Sequence, residues 1–162
     1  MIDVKSYLRI DDNFIEVTEF QGALPSSFFD EGVPYIEGAI ELSINGQLIM
    51  DKTMWDYVDQ LWGYILIGLA KVSLGKSFDS YFPDQALKFE FTVLNKKMVK
   101  VSCFLDEGTL SQVVDIESLV SGLSNGAEQF FCFLKAHAGV EDELRIITAL
   151  KDRDLEVLGT LL

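Results

Sequence analysis

Few residues of this chain could carry out nucleophilic or acid–base chemistry. The 162-residue sequence contains one histidine, His137, and two cysteines, Cys103 and Cys132, which are far apart in the chain. A serine or cysteine nucleophile usually needs a histidine base. His137 falls at the predicted end of a helix, where the helix dipole favours a cation. We therefore interpret His137 as a capping residue, and we predict no catalytic residue and a function without enzymatic chemistry.

The two cysteines are also predicted to be chemically inert. Cys103 lies in an alternating segment and Cys132 lies between Phe131 and Phe133, so we interpret both as reduced, buried core or boundary residues. One histidine and two scattered cysteines cannot complete a zinc site without carboxylate ligands. No glycine-rich phosphate loop is present, because the glycines at 122–126 are not followed by a lysine. The sequence predicts no metal and no cofactor.

Two acid pairs could in principle serve glycoside chemistry or metal-assisted hydrolysis. Asp56 and Asp59 are one helical turn apart, and Asp11 and Asp12 are adjacent. Neither pair has a basic or aromatic signature beside it that would specify a substrate. We interpret Asp56 and Asp59 as the solvated side of a helix start, and an enzyme with an unrecognised carboxylate site remains an alternative.

Alternating apolar and polar residues predict that most of these side chains are carried by β-hairpins. The clearest signal is Asn45-Gly46 between two alternating segments, since both residues accept the positive φ angles of a type I′ turn. Residues 21–35 and 76–85 are predicted as loops, and 106–108 as a turn. The predicted strands cover 3–10, 14–20, 37–44, 47–50, 87–94 and 98–105.

Helical spacing predicts a buried central helix that begins at an N-cap on Thr53 and ends at Gly75. We attribute Gly63 and Gly68 within it to close packing, with room for a ligand as the less favoured interpretation. Further helices are predicted over 115–138, interrupted at 122–126 and stopped by Gly139, and over 141–150. The tail, 154–162, is predicted as helix or edge strand. These elements predict a single α+β domain over 1–162: an antiparallel sheet of hairpins with two or three helices packed on one face.

The charge of the chain is strongly acidic and unevenly distributed. The formal net charge is −13, with −7 in residues 1–50, +1 in 51–105 and −7 in 106–162. Nucleic-acid binding needs phosphate neutralisation by Lys and Arg, so we expect no nucleic-acid partner. Anionic membrane surfaces are disfavoured for the same reason. No signal-peptide pattern opens the sequence, and the apolar run 61–70 is too short to span a bilayer, so we expect a soluble, cytoplasmic protein.

Acidic and aromatic residues together indicate a protein-binding surface. Asp11 and Asp12 lie at a predicted hairpin turn. In the predicted loop 21–35, Phe28 and Phe29 are expected to be exposed beside Asp30 and Glu31. Aromatic side chains ringed by acids are typical of interface hot spots for a basic partner. We therefore predict these six residues as a partner-binding site.

In size, acidity, lack of a signal peptide and lack of a catalytic set, the chain resembles the small acidic cytosolic immunity proteins of bacterial toxin systems. The resemblance covers the whole chain in this general sense and includes no residue motif, so it assigns no site residue. It implies an inhibitor that occludes a cationic toxin domain, for example a nuclease. A generic interaction module, or a homodimer formed through β edges or the apolar tail, is the other alternative.

Overall fold

The computed structural model describes residues 1–162, whose strands form two main antiparallel sheets and one short hairpin. The strands are β1 (Ile2–Ile10), β2 (Asn13–Glu16), β3 (Phe29–Asp30), β4 (Val33–Pro34), β5 (Glu37–Ile44), β6 (Gln47–Met50), β7 (Asp56–Tyr57), β8 (Phe78–Tyr81), β9 (Lys88–Val93), β10 (Met98–Leu105) and β11 (Gly108–Asp115). The helices are α1 (Val58–Ser73), α2 (Ile116–Leu134), α3 (Glu141–Lys151) and α4 (Leu155–Leu161). The predicted α+β class is confirmed, with the strands divided between two sheets.

The first sheet has the order β2-β1-β5-β6, and β7 also pairs with the start of β5. The second sheet is a meander with the order β11-β10-β9-β8. The Asn45-Gly46 turn is confirmed, because β5 pairs with β6 across it and both residues have positive φ angles, 51° and 81°. The remaining pair, β3 with β4, forms a separate hairpin before β5.

The central helix α1 packs between the two sheets. The indole nitrogen of Trp62, a fully buried residue, donates to the Ser6 hydroxyl of β1 at 2.9 Å. On the side of the second sheet, a Cβ at Gly68 would lie 2.7 Å from Phe78 and 2.8 Å from Phe91. The close packing predicted for Gly68 is therefore confirmed. None of the four helices combines the length and hydrophobicity that crossing a lipid bilayer requires.

The predicted start of the central helix is wrong. Thr53 is not its cap: residues 52–54 form a separate 3-10 turn, which is capped by the Asp51 carboxylate through hydrogen bonds from the Thr53 backbone N–H and hydroxyl. The next two residues pair with β5 as β7, so α1 begins at Val58. Its predicted end at Gly75 is confirmed. Gly75 has a φ of 76°, and the amides of Gly75 and Lys76 close a Schellman motif on Val72 and Lys71.

Helix α2 is continuous through the glycines at which an interruption was predicted. A Cβ at Gly122 would lie 2.7 Å from Ile2, and one at Gly126 would lie 2.5 Å from Val4. These glycines thus let α2 approach strand β1, and they do not break the helix. The helix ends at Leu134, before the predicted stop at Gly139.

Four further segments differ from prediction, and the first is the β3–β4 hairpin, which lies inside the predicted loop 21–35. Strand β2 ends at Glu16, four residues earlier than expected. Strand β8 lies inside the predicted loop 76–85, and β11 has no predicted counterpart. The tail is helical, as one of its two alternatives stated.

Candidate binding site: two acidic hairpin tips and an acidic cavity

Asp11 and Asp12 form the tip of the β1–β2 hairpin. They are the two residues between the paired Ile10 and Asn13, and their φ angles are 51° and 64°. Aspartate tolerates this left-handed backbone better than most residues. Both side chains are exposed. This pair is therefore placed at the surface, as predicted.

One of these two acids is already neutralised within the chain. The Arg9 guanidinium is ion-paired with Asp12, and it also contacts Glu37 at 3.1 Å. The same guanidinium lies 3.8 Å from the centre of the Trp55 ring. The only free carboxylate at this tip is therefore that of Asp11.

Asp30 and Glu31 lie at the tip of the second hairpin, β3–β4. Asp30 pairs with Val33, Glu31 has a φ of 48°, and both acids are exposed. The expectation that the neighbouring aromatic pair is exposed is wrong for Phe28, whose side chain is buried in the core. Phe29 is half-buried and packs against that core. Both rings anchor the hairpin, because a short two-stranded hairpin is not stable in water without apolar packing.

The topology brings the two acidic tips to the same end of the first sheet. Strand β1 runs antiparallel to β5, and Leu8 pairs with Gly38. The β1–β2 tip therefore projects from the end of the sheet at which β5 begins. The β3–β4 hairpin enters β5 at that same end, three residues before Glu37.

The remaining acidic surface is largely uncompensated. Only seven of the 26 acidic side chains lie within ion-pair distance of a basic group. They are Asp12, Glu16, Glu37, Asp79, Glu90, Glu117 and Glu128. The other acids have no cationic partner in the chain, so the molecule attracts cations over long distances.

Asp56 is buried, which contradicts its interpretation as a solvated helix residue; only 3% of the residue's surface is exposed. Its carboxylate accepts hydrogen bonds from three backbone N–H groups: Tyr57 at 2.7 Å, Asp84 at 3.0 Å and Gln85 at 2.9 Å. Asp84 and Gln85 belong to the β8–β9 connection of the second sheet, whereas Asp56 lies in the first sheet. The carboxylate therefore fastens the two sheets together.

Asp59 is also buried, with 9% of the residue's surface exposed, and the same interpretation is wrong for it. Its Oδ1 accepts a hydrogen bond from the Ile36 backbone N–H at 3.0 Å, at the entry to β5. Burial raises the pKa of Asp59 to about 6; hydrogen bonds from backbone N–H groups oppose this shift, and nearby Glu143 adds to it. No basic side chain forms an ion pair with it. Asp59 is thus a buried acid without a counter-charge, a rare arrangement.

A cavity of about 270 Å³ opens beside Asp59, between α1 and α3. Side chains of α1, α3 and the end of α2 form an apolar wall, and acids lie at the rim of the cavity. No basic residue lines it. The lining residues are Pro34, Asp59, Gln60, Gly63, Tyr64, Leu66, Ile67, Phe131, Leu134, Gly139, Val140, Asp142, Glu143 and Ile146. Pro34 belongs to β4, so the cavity adjoins the hairpin that carries Asp30 and Glu31.

Gly63 leaves this cavity open. A Cβ at Gly63 would meet no atom within 4 Å, in contrast to Gly68 on the same helix. Close packing therefore does not account for Gly63, and the interpretation less favoured from the sequence, room for a ligand, fits its surroundings. A glycine in a helix interior costs about 1 kcal/mol relative to alanine.

The other residues singled out for chemistry are dispersed. Cys103 is buried and free, as expected, with its sulfur 3.8 Å from that of Met54. Burial raises the pKa of the Cys103 thiol to about 11. Cys132 is also free, but it is exposed, so its predicted burial is wrong. His137 is exposed in the turn after α2, next to the ring of Phe133.

Sequence reasoning missed the cavity because its acids come from different elements. Asp59 lies in the first turn of α1, and Asp142 and Glu143 lie in the first turn of α3, where the helix dipole alone explains acids. The one available signal was Gly63, a glycine inside a strongly helical pattern. No group of three histidine, cysteine or acidic side chains is arranged closely enough to bind a metal ion.

Comparisons of the chain with protein-family models, with curated proteins and with solved structures find no match. The function is therefore inferred from the geometry and the charge of the molecule.

Proposed function

We propose that this chain is an inhibitor of a cationic protein, an immunity protein of the type that protects bacteria against a basic toxin such as a nuclease. It binds the toxin and occludes its active site, and it performs no chemistry itself. The observation that carries the proposal is the excess of acidic side chains without a basic partner in the fold. Nuclease surfaces are cationic because they hold phosphates, so such a surface imitates the field of the substrate.

The two acidic tips are the proposed docking site. Asp11, Asp30 and Glu31 are exposed and outside any ion pair, and turns hold them at one end of the sheet. Rigid turns present charge with little loss of conformational entropy on binding. The aromatic part of the predicted site contributes through the hairpin it anchors, since Phe28 is buried.

The test begins with affinity capture of basic proteins from the source organism, including the products of neighbouring reading frames, at low and at high salt. A captured protein must then lose its toxicity or its nuclease activity when this chain is added in equimolar amount. Loss of activity at 1:1 stoichiometry supports occlusion. Capture of a basic protein whose activity is unchanged would contradict the proposal.

The docking site has its own test. Reversing Asp11, Asp12, Asp30 and Glu31 to lysine should slow association at least tenfold and reduce its dependence on salt. The matched control reverses four other exposed acids, Asp3, Asp106, Glu107 and Asp152, which changes the net charge equally. Equal association rates of the two variants would rule out the tips as the docking site.

Two other functions are distinguished by the same experiments. The cavity beside Asp59 favours an enzyme, because a buried acid with a raised pKa is suited to general acid–base catalysis. An enzyme would neutralise its target at far less than equimolar amounts. An assembly module would capture only further copies of this chain.

A further inference from the structure

The cavity between α1 and α3 combines a buried charge with an apolar wall. Asp59 lies at one side, nine-tenths buried, and neither it nor the neighbouring Asp142 and Glu143 forms an ion pair. Buried charges in proteins are normally paired or bound to a ligand. The cavity therefore has the electrostatics of a cation-binding site, and the cation must come from another molecule.

The wall of the cavity selects among cations. Leu134, Val140 and Ile146 line it together with the open space above Gly63. A hydrated metal ion gains nothing from such a wall, whereas a cation on an aliphatic chain buries its methylene groups against it. The Oδ1 atom of Asp59 already accepts a hydrogen bond from Ile36. A single ammonium group, which needs one acceptor atom, therefore competes less with this bond than a guanidinium fork, which uses both carboxylate oxygens.

The position of the cavity indicates where the cation comes from. Pro34 forms part of its wall, and the exposed acids Asp30 and Glu31 are carried by the same β3–β4 hairpin. The cavity therefore adjoins the hairpin on which the basic protein is proposed to dock. The cavity volume of about 270 Å³ is at the lower limit of ligand pockets, as a single side chain requires.

We propose that this cavity is an anchor pocket for one lysine side chain of the cationic protein partner. The ammonium group binds beside Asp59, and the aliphatic stem packs over Gly63. This inference rests on the proposed function for the identity of the partner. The hairpin tips determine how fast the partner arrives, and the pocket determines how long it stays.

The pocket can be tested without the partner. Isotope-labelled protein is titrated with n-butylammonium at pH 7.5 and low salt, and chemical shifts are followed residue by residue. We expect saturable shifts confined to the cavity residues, with n-butanol, the uncharged analogue, binding at least tenfold more weakly. Equal shifts with n-butanol, tighter binding of n-butylguanidinium, or shifts spread over the whole acidic surface would overturn the proposal.

Two variants make this test specific. Asp59→Asn keeps the shape of the side chain and should weaken n-butylammonium binding at least tenfold, whereas Asp106→Asn, at an exposed acid elsewhere, should change it less than twofold. Gly63→Leu should abolish binding by filling the cavity. Gly159→Leu is its control, because Gly159 is also helical with open space at its Cβ. Unchanged binding by Asp59→Asn or by Gly63→Leu would overturn the proposal.

A second experiment uses the captured partner protein and measures the kinetics of its complex with this chain. Gly63→Leu should accelerate dissociation of the captured complex at least tenfold while leaving its association rate within twofold. If n-butylammonium binds in the cavity but no basic protein is captured, the proposed function fails and the cation site remains. If a toxin is captured and inhibited but n-butylammonium does not bind, the anchor pocket alone fails.

Discussion

Asp56 and Asp59 are three residues apart in the chain, and both are buried, but their surroundings differ. Three backbone N–H groups surround the carboxylate of Asp56, and two of them come from the other sheet. The only such bond to Asp59 from outside its own helix comes from Ile36, just before β5, and the carboxylate faces a cavity with further acids. A buried carboxylate surrounded by donors holds a fold together. A buried carboxylate with few donors is costly to the fold, and such a group is kept where a ligand can compensate it.

The largest expected change in stability comes from removing Asp56, the carboxylate with the most hydrogen-bond donors. Asp56→Ala creates a buried cavity and leaves the partly buried amides of Tyr57, Asp84 and Gln85 without this acceptor, so we expect it to lower the free energy of unfolding by about 3 kcal/mol. Urea denaturation at pH 7 measures this loss. The control, Asp106→Ala at an exposed turn, should change stability by less than about 0.5 kcal/mol. Similar values for both variants would contradict the structural role of Asp56.

Removing the charge of Asp59 should raise the free energy of unfolding, in contrast to the loss expected for Asp56→Ala. The pKa of Asp59 is raised from 3.8 to about 6 in the folded state, so its ionisation opposes folding. The free energy of unfolding therefore falls as pH rises from about 4 through about 6. The cost approaches about 3 kcal/mol above this range, at about 1.4 kcal/mol for each pKa unit. Asp59→Asn should therefore be the more stable protein at pH 7.5 and equal to the parent at pH 4.

The measurement is urea denaturation of both proteins at half-unit steps between pH 4 and pH 7.5. Asp142 and Glu143, which also line the cavity, are present in both proteins. A difference in stability that does not change with pH would show that Asp59 is ionised without cost.

The comparison extends to two glycines of α1. Gly68→Ala places a methyl group within 2.8 Å of Phe78 and Phe91, so we expect it to lower the free energy of unfolding by about 2 kcal/mol. Gly63→Ala places the same group in open space and should raise it by about 1 kcal/mol, the helix propensity difference. Thermal or urea unfolding measures both changes. Destabilisation by Gly63→Ala would show that the cavity is closed in solution.

The smallest expected effect concerns a buried polar group with no partner. The hydroxyl of Ser124 in α2 is fully buried and forms no hydrogen bond. Ser124→Ala should raise the free energy of unfolding by about 1 kcal/mol, since it removes an unsatisfied group and improves helix propensity. Ser121→Ala, at an exposed position of the same helix, gives the propensity contribution alone. A loss of stability with Ser124→Ala would indicate an unrecognised partner for the hydroxyl.

The fold was predictable where the local pattern is strong. The alternating segments 37–50 and 98–105, the Asn45-Gly46 turn and the end of α1 at Gly75 follow from local sequence, because turn geometry and strand periodicity depend on neighbouring residues. Strand β8 has only four residues, too few for a periodic signal. The start of α1 was misplaced because pairing of β7 with β5 is a tertiary effect.

The site was predictable only in part. Exposure of Asp11 and Asp12 follows from their predicted turn, and that of Asp30 and Glu31 from their predicted loop, but burial of Phe28 depends on what packs over the loop. The cavity joins side chains more than 80 positions apart, such as Asp59 and Asp142. No local pattern records such a contact. The acid pair 56 and 59 looked solvated because strand pairing and the β8–β9 connection, which bury it, lie elsewhere in the chain.

The glycine-mediated contact of α2 with β1 bears on how the protein is made. Strand β1 lies inside the first sheet, and Ile2 and Val4 are covered by Gly122 and Gly126 of a helix that is translated much later. Contacts between such distant segments cannot form on the ribosome until the helix has emerged from it. The hairpins of the first sheet therefore expose apolar surface throughout most of translation. Chaperone dependence during synthesis is the expected consequence for the cell.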